Sequence, residues 1–177
     1  RTHSALLYSA SDISIWDQFE LELHPFLAKI GPDILSPKLT WKEISQRLRS
    51  ERFHRRTLAS LYLAQDFLAG IGNYLRSEIL FDAKVLPDAR PLDLSVKQLN
   101  DLGRSTLEIS QRAYQTGGIT NPPRRVARLK KQGLKRGAFR HAVFGRQRLS
   151  CYECGDIIRK DLLSGRRLYW CPGCQGS

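Results

Sequence analysis

The four cysteines of this chain constrain its fold more than any other feature. They form two C-x-x-C pairs near the end of the chain, with sixteen residues between the pairs: Cys151, Cys154, Cys171 and Cys174. Each pair presents two thiolates from one tight turn, and the intervening residues are enough for a hairpin. The spacing therefore predicts a zinc ribbon with one tetrahedral site. Because four thiolates leave no open coordination position, we expect one structural zinc ion.

Two disulfides are the alternative use of these cysteines. Adjacent C-x-x-C pairs are more typical of metal binding in a reducing compartment, and the sequence shows no secretory signature. The pattern favours zinc and predicts a cytoplasmic protein, associated with the nucleoid if the source is bacterial.

The charge of the chain indicates its partner. Lys and Arg number 29 against 17 Asp and Glu, for a net charge of +12, which is typical of a protein that binds a polyanion. No apolar run approaches the length of a transmembrane helix, so nucleic acid is favoured over a membrane surface. Residues 119–150 contain no acidic residue and ten basic ones: Arg124, Arg125, Arg128, Lys130, Lys131, Lys135, Arg136, Arg140, Arg146 and Arg148.

A solvated or disordered loop is the alternative interpretation of this basic stretch, above all over residues 130–137. Disorder in the free protein and contact with DNA are compatible, so both interpretations stay open.

Capping and turn signals predict mainly helical structure before the basic stretch. Thr40 with Glu43, and Ser95 with Gln98, have the spacing of capping boxes. The predicted elements are a connecting segment over 25–38, a helix from Trp41 toward Arg52, a helix over 57–69, a helix that begins after Asn73, and a long helix from Ser95 that stops at Gly117 and Gly118.

The short connection between the second and third helices has the chemistry of a phosphate site. Gly70 is placed to end one helix in a left-handed conformation, and Asn73 is placed as the N-cap of the next. Glycine-rich turns let backbone N–H groups point outward, and the Asn73 amide can donate to a phosphate oxygen. The alternative is that Asn73 is only a helix cap.

Two motifs carry a family resemblance. Phe67-Leu-Ala-Gly-Ile-Gly-Asn73-Tyr-Leu-Arg-Ser-Glu78, followed by Trp170-Cys-Pro-Gly-Cys174-Gln, resembles the endonuclease VIII family, bifunctional DNA glycosylases related to formamidopyrimidine-DNA glycosylase. The resemblance covers nearly the whole chain. It implies a mainly α fold with a small β zinc ribbon: a helix-two-turn-helix domain and a C-terminal zinc-finger hairpin, preceded by a remnant strand of a β-sandwich domain.

The resemblance also implies a division of the chain. The expected parts are a β-sandwich remnant over 1–24, a linker over 25–38, the helix-two-turn-helix domain over 39–118, a basic lesion-side loop and strand over 119–148, and the zinc finger over 149–177.

In this family the glycine turn and the zinc-finger hairpin grip the DNA backbone around an everted, oxidised base. By resemblance, a monomer binds double-stranded DNA that contains oxidised bases or abasic sites, and the parent protein removes oxidised pyrimidines and cleaves the abasic site by β,δ-elimination. The implied DNA-binding residues are Asn73, Arg166, Gly70, Gly72, Lys130, Lys131 and Arg140.

The chain departs from the family pattern in its catalytic residues. Family members begin with a Pro-Glu dipeptide that supplies the nucleophile, and this chain begins at Arg1 and contains no methionine. The resemblance therefore implies that the catalytic residues belong to an absent N-terminal domain, that none lies in this chain, and that the chain alone is inactive. Ala64 stands where the family usually has Asp.

The residues offer no independent catalytic centre. Lys130, Lys131 and Lys135 show no sign of the burial that a Schiff-base amine needs. The acidic pair Glu20 and Glu22 is expected at the surface, and the histidines, which show no metal or nucleophile spacing, are expected to be packing or surface residues: His3, His24, His54 and His141.

Two further functions remain open at the level of sequence. One is a non-catalytic, zinc-dependent nucleic-acid-binding module. The other is a zinc-ribbon translation or transcription factor that binds RNA.

Overall fold

The computed structural model describes residues 14–163 and 165–176. The chain divides into two compact units, Arg1–Ile30 and Gly31–Ser177. The described part of the first unit contains only turns and two short 3-10 helices, Leu21–Leu23 and Leu27–Lys29. The predicted opening strand at Arg1–Ala10 lies outside the described residues.

The second unit is mainly helical with one small sheet. Its described elements are α1 (Trp41–Arg49), α2 (Leu58–Leu61), α3 (Asn73–Asp82), a 3-10 helix (Pro91–Asp93), α4 (Val96–Gln115), α5 (Pro123–Lys131), α6 (Arg136–Phe139), β1 (Arg159–Leu163), β2 (Arg166–Trp170) and α7 (Pro172–Gln175).

Both predicted capping boxes are confirmed. The Thr40 hydroxyl accepts from the Glu43 N–H at the start of α1, and the Glu43 carboxylate accepts in return from the Thr40 N–H. Ser95 and Gln98 make the same reciprocal pair at the start of α4. The two helices pack closely, since a Cβ atom added at Gly103 would lie 2.6 Å from the Trp41 carbonyl oxygen.

The predicted helix over 57–69 is wrong in its extent, because α2 ends at Leu61. The following backbone bonds to residues that precede α1 in the chain. The Gly31 N–H donates to the Gln65 carbonyl at 2.7 Å, and the Ala69 N–H donates to the Pro32 carbonyl at 2.9 Å. These bonds to a distant segment take the place of the helical ladder.

The glycine turn before α3 differs from the prediction at one position. Gly70 adopts the expected left-handed conformation, with φ of +93°. The N-cap of α3, however, is Gly72, and Asn73 is the first helical residue. The prediction of Asn73 as N-cap is therefore wrong by one position, and its side chain is free of that role.

The basic stretch is helical where a loop and a strand were predicted. Pro123 occupies the first turn of α5, where its fixed φ suits a helix start. Leu129 of α5 and Phe139 of α6 are both buried, and the two helices contact one another. Burial of one apolar side chain from each helix favours this compact helical arrangement despite the charge of the segment.

The sheet is a two-stranded antiparallel hairpin. Arg159 of β1 pairs with Trp170 of β2, and Leu163 pairs with Arg166 next to the turn. Leu168 of β2 belongs to the apolar core formed by α1, α3 and α4. The hairpin is thus packed against α3.

A second, smaller apolar cluster surrounds the cysteines. It contains Phe81 of α3, Val143, Ile158 and Tyr169, together with the buried Cys171. Neighbouring residues of α3, Leu80 and Phe81, belong to different clusters, as do Leu168 and Tyr169 of β2, so α3 and β2 join the two cores.

No helix among the described residues is both long enough and apolar enough to cross a lipid bilayer.

Candidate nucleic-acid interface and cysteine cluster

The structure brings the four predicted cysteines together. Their sulfur atoms all lie within 4.8 Å of one another, and the set is Cys151, Cys154, Cys171 and Cys174. Two of the separations are 3.8 Å, between Cys151 and Cys174, and 3.3 Å, between Cys154 and Cys171. Zinc–sulfur bonds of about 2.3 Å in a tetrahedron place sulfur atoms about 3.8 Å apart. The donor set and its spacing therefore fit one zinc ion.

The first cysteine pair is held by a tight turn. The Gly155 N–H donates to the Cys151 carbonyl, and Gly155 has φ of +85°, a conformation that glycine adopts without strain. The Glu153 N–H points at the Cys151 sulfur at 3.4 Å. Amide donors of this kind stabilise thiolate charge, as metal ligation requires.

The second cysteine pair is tied to α3. The Gln175 side-chain oxygen accepts from the Cys171 N–H at 2.9 Å, and the Gln175 amide donates to the Val85 carbonyl at 2.9 Å. Val85 follows shortly after α3 in the chain and is buried. A single buried side chain therefore fixes the cysteine loop to the end of α3.

Without a cation, the Cys171 and Cys174 thiols resist ionisation, whereas the pKa of Cys151 lies below its ordinary value because the effect of burial is outweighed by hydrogen bonds to its sulfur. Burial raises the pKa of Cys171 to about 11, and the hydrogen bond with the Cys154 thiol contributes in the same direction. Burial likewise raises the pKa of Cys174 well above its ordinary value. A bound dication reverses this preference because it stabilises the thiolates directly.

Three consecutive buried residues of α3 bond to the C-terminal part of the chain. They are Arg76, Ser77 and Glu78, all at most 2% exposed. Ser77 accepts from the Tyr169 N–H of β2 at 3.2 Å through its hydroxyl. Polar groups at such depth must be paired, so these bonds fix the position of the hairpin on α3.

Arg76 joins the glycine turn to the hairpin. Its guanidinium donates to the Ala59 carbonyl at 2.8 Å, to the Arg167 carbonyl of β2 at 3.0 Å and to the Asn73 side-chain oxygen at 3.3 Å. Burial lowers the pKa of Arg76 to about 10, and the charge of Arg166 contributes in the same direction. One buried guanidinium therefore links Asn73, a predicted phosphate ligand, to the strand that carries Arg166, the other.

This contact also orients the Asn73 amide. Because the Asn73 oxygen accepts from Arg76, its NH₂ group is the part left to donate outward. Gly70 is exposed, and its N–H donates to the Gln65 side-chain oxygen at 3.0 Å. A Cβ atom at Gly72 would meet no atom within 4 Å, so the turn is open toward solvent there.

Glu78 fixes the segment that leads from the basic helices to the cysteines. Its carboxylate accepts from the Thr120 hydroxyl at 2.5 Å and from three consecutive backbone N–H groups at 2.7 to 2.8 Å, those of Ala142, Val143 and Phe144. Hydrogen bonds from three backbone amides offset the free-energy cost of removing the Glu78 carboxylate from water.

His141 lies at the edge of this network. Its ring packs against Tyr74 and Phe144, each at a centroid distance of 5.4 Å. Burial lowers the pKa of His141, whereas the Glu78 charge raises it and the Arg140 charge lowers it. The side chain is a packing residue, as the sequence analysis expected.

The predicted basic residues serve different roles in the structure. Lys130 and Lys131 are exposed at the end of α5, and among the described residues no hydrogen bond joins them to Asn73 or Arg166. Arg140 is half-buried, and its guanidinium donates to the Gly118 carbonyl at 2.8 Å. Arg146 is buried against the Tyr152 ring at 3.4 Å, so its role is structural.

Sequence reasoning did not assign roles to Arg76, Glu78 or Gln175. A signal was present for Arg76 and Glu78, because a helical period places both beside the apolar face predicted for α3. Charged residues in that position indicate buried, paired groups.

Comparisons with known proteins agree with this architecture. Residues 30–123 match the formamidopyrimidine-DNA glycosylase H2TH domain. Endonuclease 8 of Escherichia coli (strain K12 / DH10B) and that of Salmonella arizonae are each 45% identical to this chain over 170 residues. These alignments cover 96% of this chain and 61% of each relative, so the chain spans about three fifths of the relatives' length.

Solved structures show the same fold. The MutM (Fpg) protein of Thermus thermophilus superposes with a TM-score of 0.70 at 29% identity, covering 89% of this chain and 58% of that one. A complex between Lactococcus lactis Fpg and DNA containing an abasic site superposes with a TM-score of 0.67 at 25% identity, covering 88% and 56%. The helices around the glycine turn, the hairpin and the sequence matches lead to one conclusion: the chain belongs to the formamidopyrimidine-DNA glycosylase family.

Proposed function

We propose that this chain is the DNA-gripping part of a base-excision repair enzyme that removes oxidised pyrimidines and cleaves the resulting abasic site by β,δ-elimination. The observation that carries the proposal is the position of Arg76, which bonds to Asn73 on one side and to the Arg167 carbonyl of the hairpin on the other. The glycine turn and the hairpin are thereby fixed to each other, as two contacts on one DNA backbone require.

The chemistry of both contacts suits phosphate. The Asn73 amide stands in the first turn of α3, where the partial positive charge of the helix favours an anion. Arg166 is exposed at the start of β2 and carries a planar, permanently charged donor group. Contacts of this kind hold the backbone while a damaged base leaves the stack.

Zinc has a structural role in this proposal. Cys151, Cys154, Cys171 and Cys174 hold one ion, which supplies the cross-link that closes the hairpin into a zinc ribbon. The apolar cluster around Cys171 is small, so the metal contributes much of the stability of this part of the chain.

Turnover is assigned to residues outside this chain. Schiff-base formation needs an amine that is neutral at working pH, and burial away from water is the usual way in which a protein keeps a lysine neutral. All nine lysines are exposed: Lys29, Lys38, Lys42, Lys84, Lys97, Lys130, Lys131, Lys135 and Lys160. We therefore assign binding to this chain, and glycosylase and lyase chemistry to the parent protein, on the strength of its Endonuclease 8 relatives.

The relatives support a proposal for the cellular setting of this protein. Endonuclease 8 occurs in Escherichia coli, Shigella sonnei and Salmonella arizonae. We place this protein in a bacterial cytoplasm, at the nucleoid, where a monomer binds duplex DNA that contains oxidised bases or abasic sites.

Arg166→Ala is expected to weaken binding to damaged and undamaged duplexes alike. Loss of one phosphate contact reduces the slope of log K against log salt by about 0.9. The measurement is fluorescence anisotropy of a labelled duplex with an abasic-site analogue over a series of salt concentrations.

Asn73→Ala is expected to lower the affinity in the same measurement with little change in the salt slope, because the Asn73 amide carries no charge.

Arg167→Ala is the matched control. It removes the same charge from the adjacent residue, whose side chain points to the opposite face of the strand. Equal effects at Arg166 and Arg167 would mean that the hairpin attracts DNA only through its net charge, which contradicts the assigned contact.

A further inference from the structure

A second cationic surface surrounds α1, outside the basic stretch of residues 119–150. Two cavities of 590 Å³ and 740 Å³ flank this helix and share Gln46 and Ser50 as the ridge between them. Five basic side chains line them, and we call these residues the α1 cationic surface: Lys38, Lys42, Arg47, Arg49 and Arg52.

The charge of this surface is poorly neutralised. Among the residues that line the two cavities, Glu43 is the only acidic one, and its carboxylate is engaged by the Thr40 N–H and hydroxyl. Arg52 pairs with Asp66 at 3.0 Å, but Arg56 shares that carboxylate at 3.7 Å. Like charges that outnumber the nearby counter-charges repel each other, and an anionic partner relieves that repulsion.

Two of these cations are held in place rather than free in solvent. Arg47 and Arg52 both lie by the Phe53 ring, with their guanidinium carbons 5.2 Å and 5.1 Å from its centroid. Burial lowers the pKa of Arg47, and the neighbouring Arg52 charge lowers it further. A fixed array of guanidinium groups loses less side-chain entropy when it binds an anion.

The surface is continuous with the glycine turn. The Arg47 guanidinium donates to the carbonyls of Asp66 and Phe67, a few residues before Gly70. Pro32, which lines the same cavity, accepts from the Ala69 N–H next to Gly70. A DNA backbone bound at Asn73 is therefore within reach of the α1 cationic surface.

We propose that the α1 cationic surface binds the phosphodiester backbone of the duplex on one side of the lesion, beyond the region held by Asn73 and Arg166. This inference rests on the proposed function, because it assigns a further part of the same duplex. It makes the DNA footprint asymmetric, since the hydrogen bonds of Arg47 tie α1 to the segment that leads into the glycine turn.

Duplex length tests this assignment in the full chain. Three labelled duplexes carry an abasic-site analogue: a short one with about 6 base pairs on each side, and two with one arm extended by about one helical turn. The wild-type chain is expected to bind one extended duplex several-fold more tightly than the other two. The double variant Lys38→Gln/Lys42→Gln is expected to lose that gain and to bind the short duplex as the wild type does.

A matched control separates position from charge. Arg90→Gln/Lys97→Gln removes the same two charges from residues that line neither cavity, and it is expected to keep the gain. The salt slope on the favoured duplex is expected to fall by about 2 in the α1 variant, the value for two lost phosphate contacts.

Three results would overturn the inference: equal affinity of the wild type for both extended duplexes, retention of the gain in the α1 variant, or an equal loss in the control. Loss of binding in Asn73→Ala and Arg166→Ala on the short duplex is independent of these results. The proposed function can therefore stand when the α1 assignment fails, and a chain that binds none of the duplexes rejects both.

Discussion

Cys171→Ser is expected to abolish stoichiometric zinc binding and to unfold the C-terminal hairpin. The residue is fully buried, and its backbone N–H donates to the Gln175 side chain. The loop is therefore held in place and cannot shift to bring another side chain to the position of the lost thiolate. Structural zinc in small fingers contributes about 10–16 kcal/mol of binding free energy at neutral pH, most of which depends on a complete ligand set. Zinc content per chain by elemental analysis measures the effect.

DNA affinity is expected to fall together with zinc in this variant, because Arg166 stands on the hairpin that the proposed zinc ion closes. Cys171→His is the matched comparison, since imidazole is itself a zinc ligand and restores part of the metal content. One zinc per chain in Cys171→Ser, with unchanged resistance to a chelator, would rule out Cys171 as a ligand.

Glu78→Gln is expected to lower the free energy of unfolding by about 3 kcal/mol. The carboxylate accepts from the Thr120 hydroxyl and from three backbone N–H groups, and it is 2% exposed. An amide in its place turns an NH₂ group toward some of these donors and leaves them unpaired. Urea unfolding measures the loss.

Glu108→Gln provides the control for this prediction. Its carboxylate is 63% exposed and pairs with Arg112 one helical turn away, so its loss is expected to cost less than about 1 kcal/mol. Equal unfolding free energies for the two variants would show that the buried carboxylate does not hold residues 142–144 in place.

Features set by neighbouring residues were predictable from the sequence. The capping boxes at Thr40 and Ser95 and the left-handed Gly70 depend on a few adjacent positions, and all three are confirmed. The cysteine cluster was predictable for the same reason, because each C-x-x-C turn places its own two sulfur atoms.

Features set by distant residues were not predictable in this way. The helix expected over 57–69 ends at Leu61 because residues 31–34 compete for its backbone groups. The bonds of Arg76 to Arg167 and of Glu78 to Ala142 join positions 91 and 64 residues apart. Arg167 and Ala142 come next to α3 only when the C-terminal part of the chain folds against this helix.

The distribution of charge along the sequence predicted only some of the basic residues that are exposed to a partner. Counting along the chain identified residues 119–150, yet Arg146 is buried there and Arg125 pairs with Glu153. The α1 cationic surface, by contrast, combines residues that are separated by Glu43 and Glu51 in sequence. Folding, rather than composition, decides which charges face a partner.

Borohydride trapping on a duplex with an abasic site tests the central claim most directly. The zinc-loaded chain is mixed with that duplex and with an undamaged control, and both retardation of the DNA and covalent adduct are scored on the same samples. Because no lysine of the chain is buried, we expect retardation of the abasic duplex without a covalent adduct. An adduct specific to the abasic duplex, or no retardation by the zinc-loaded chain, would contradict the account of this chain as a DNA-gripping unit without its own catalytic amine.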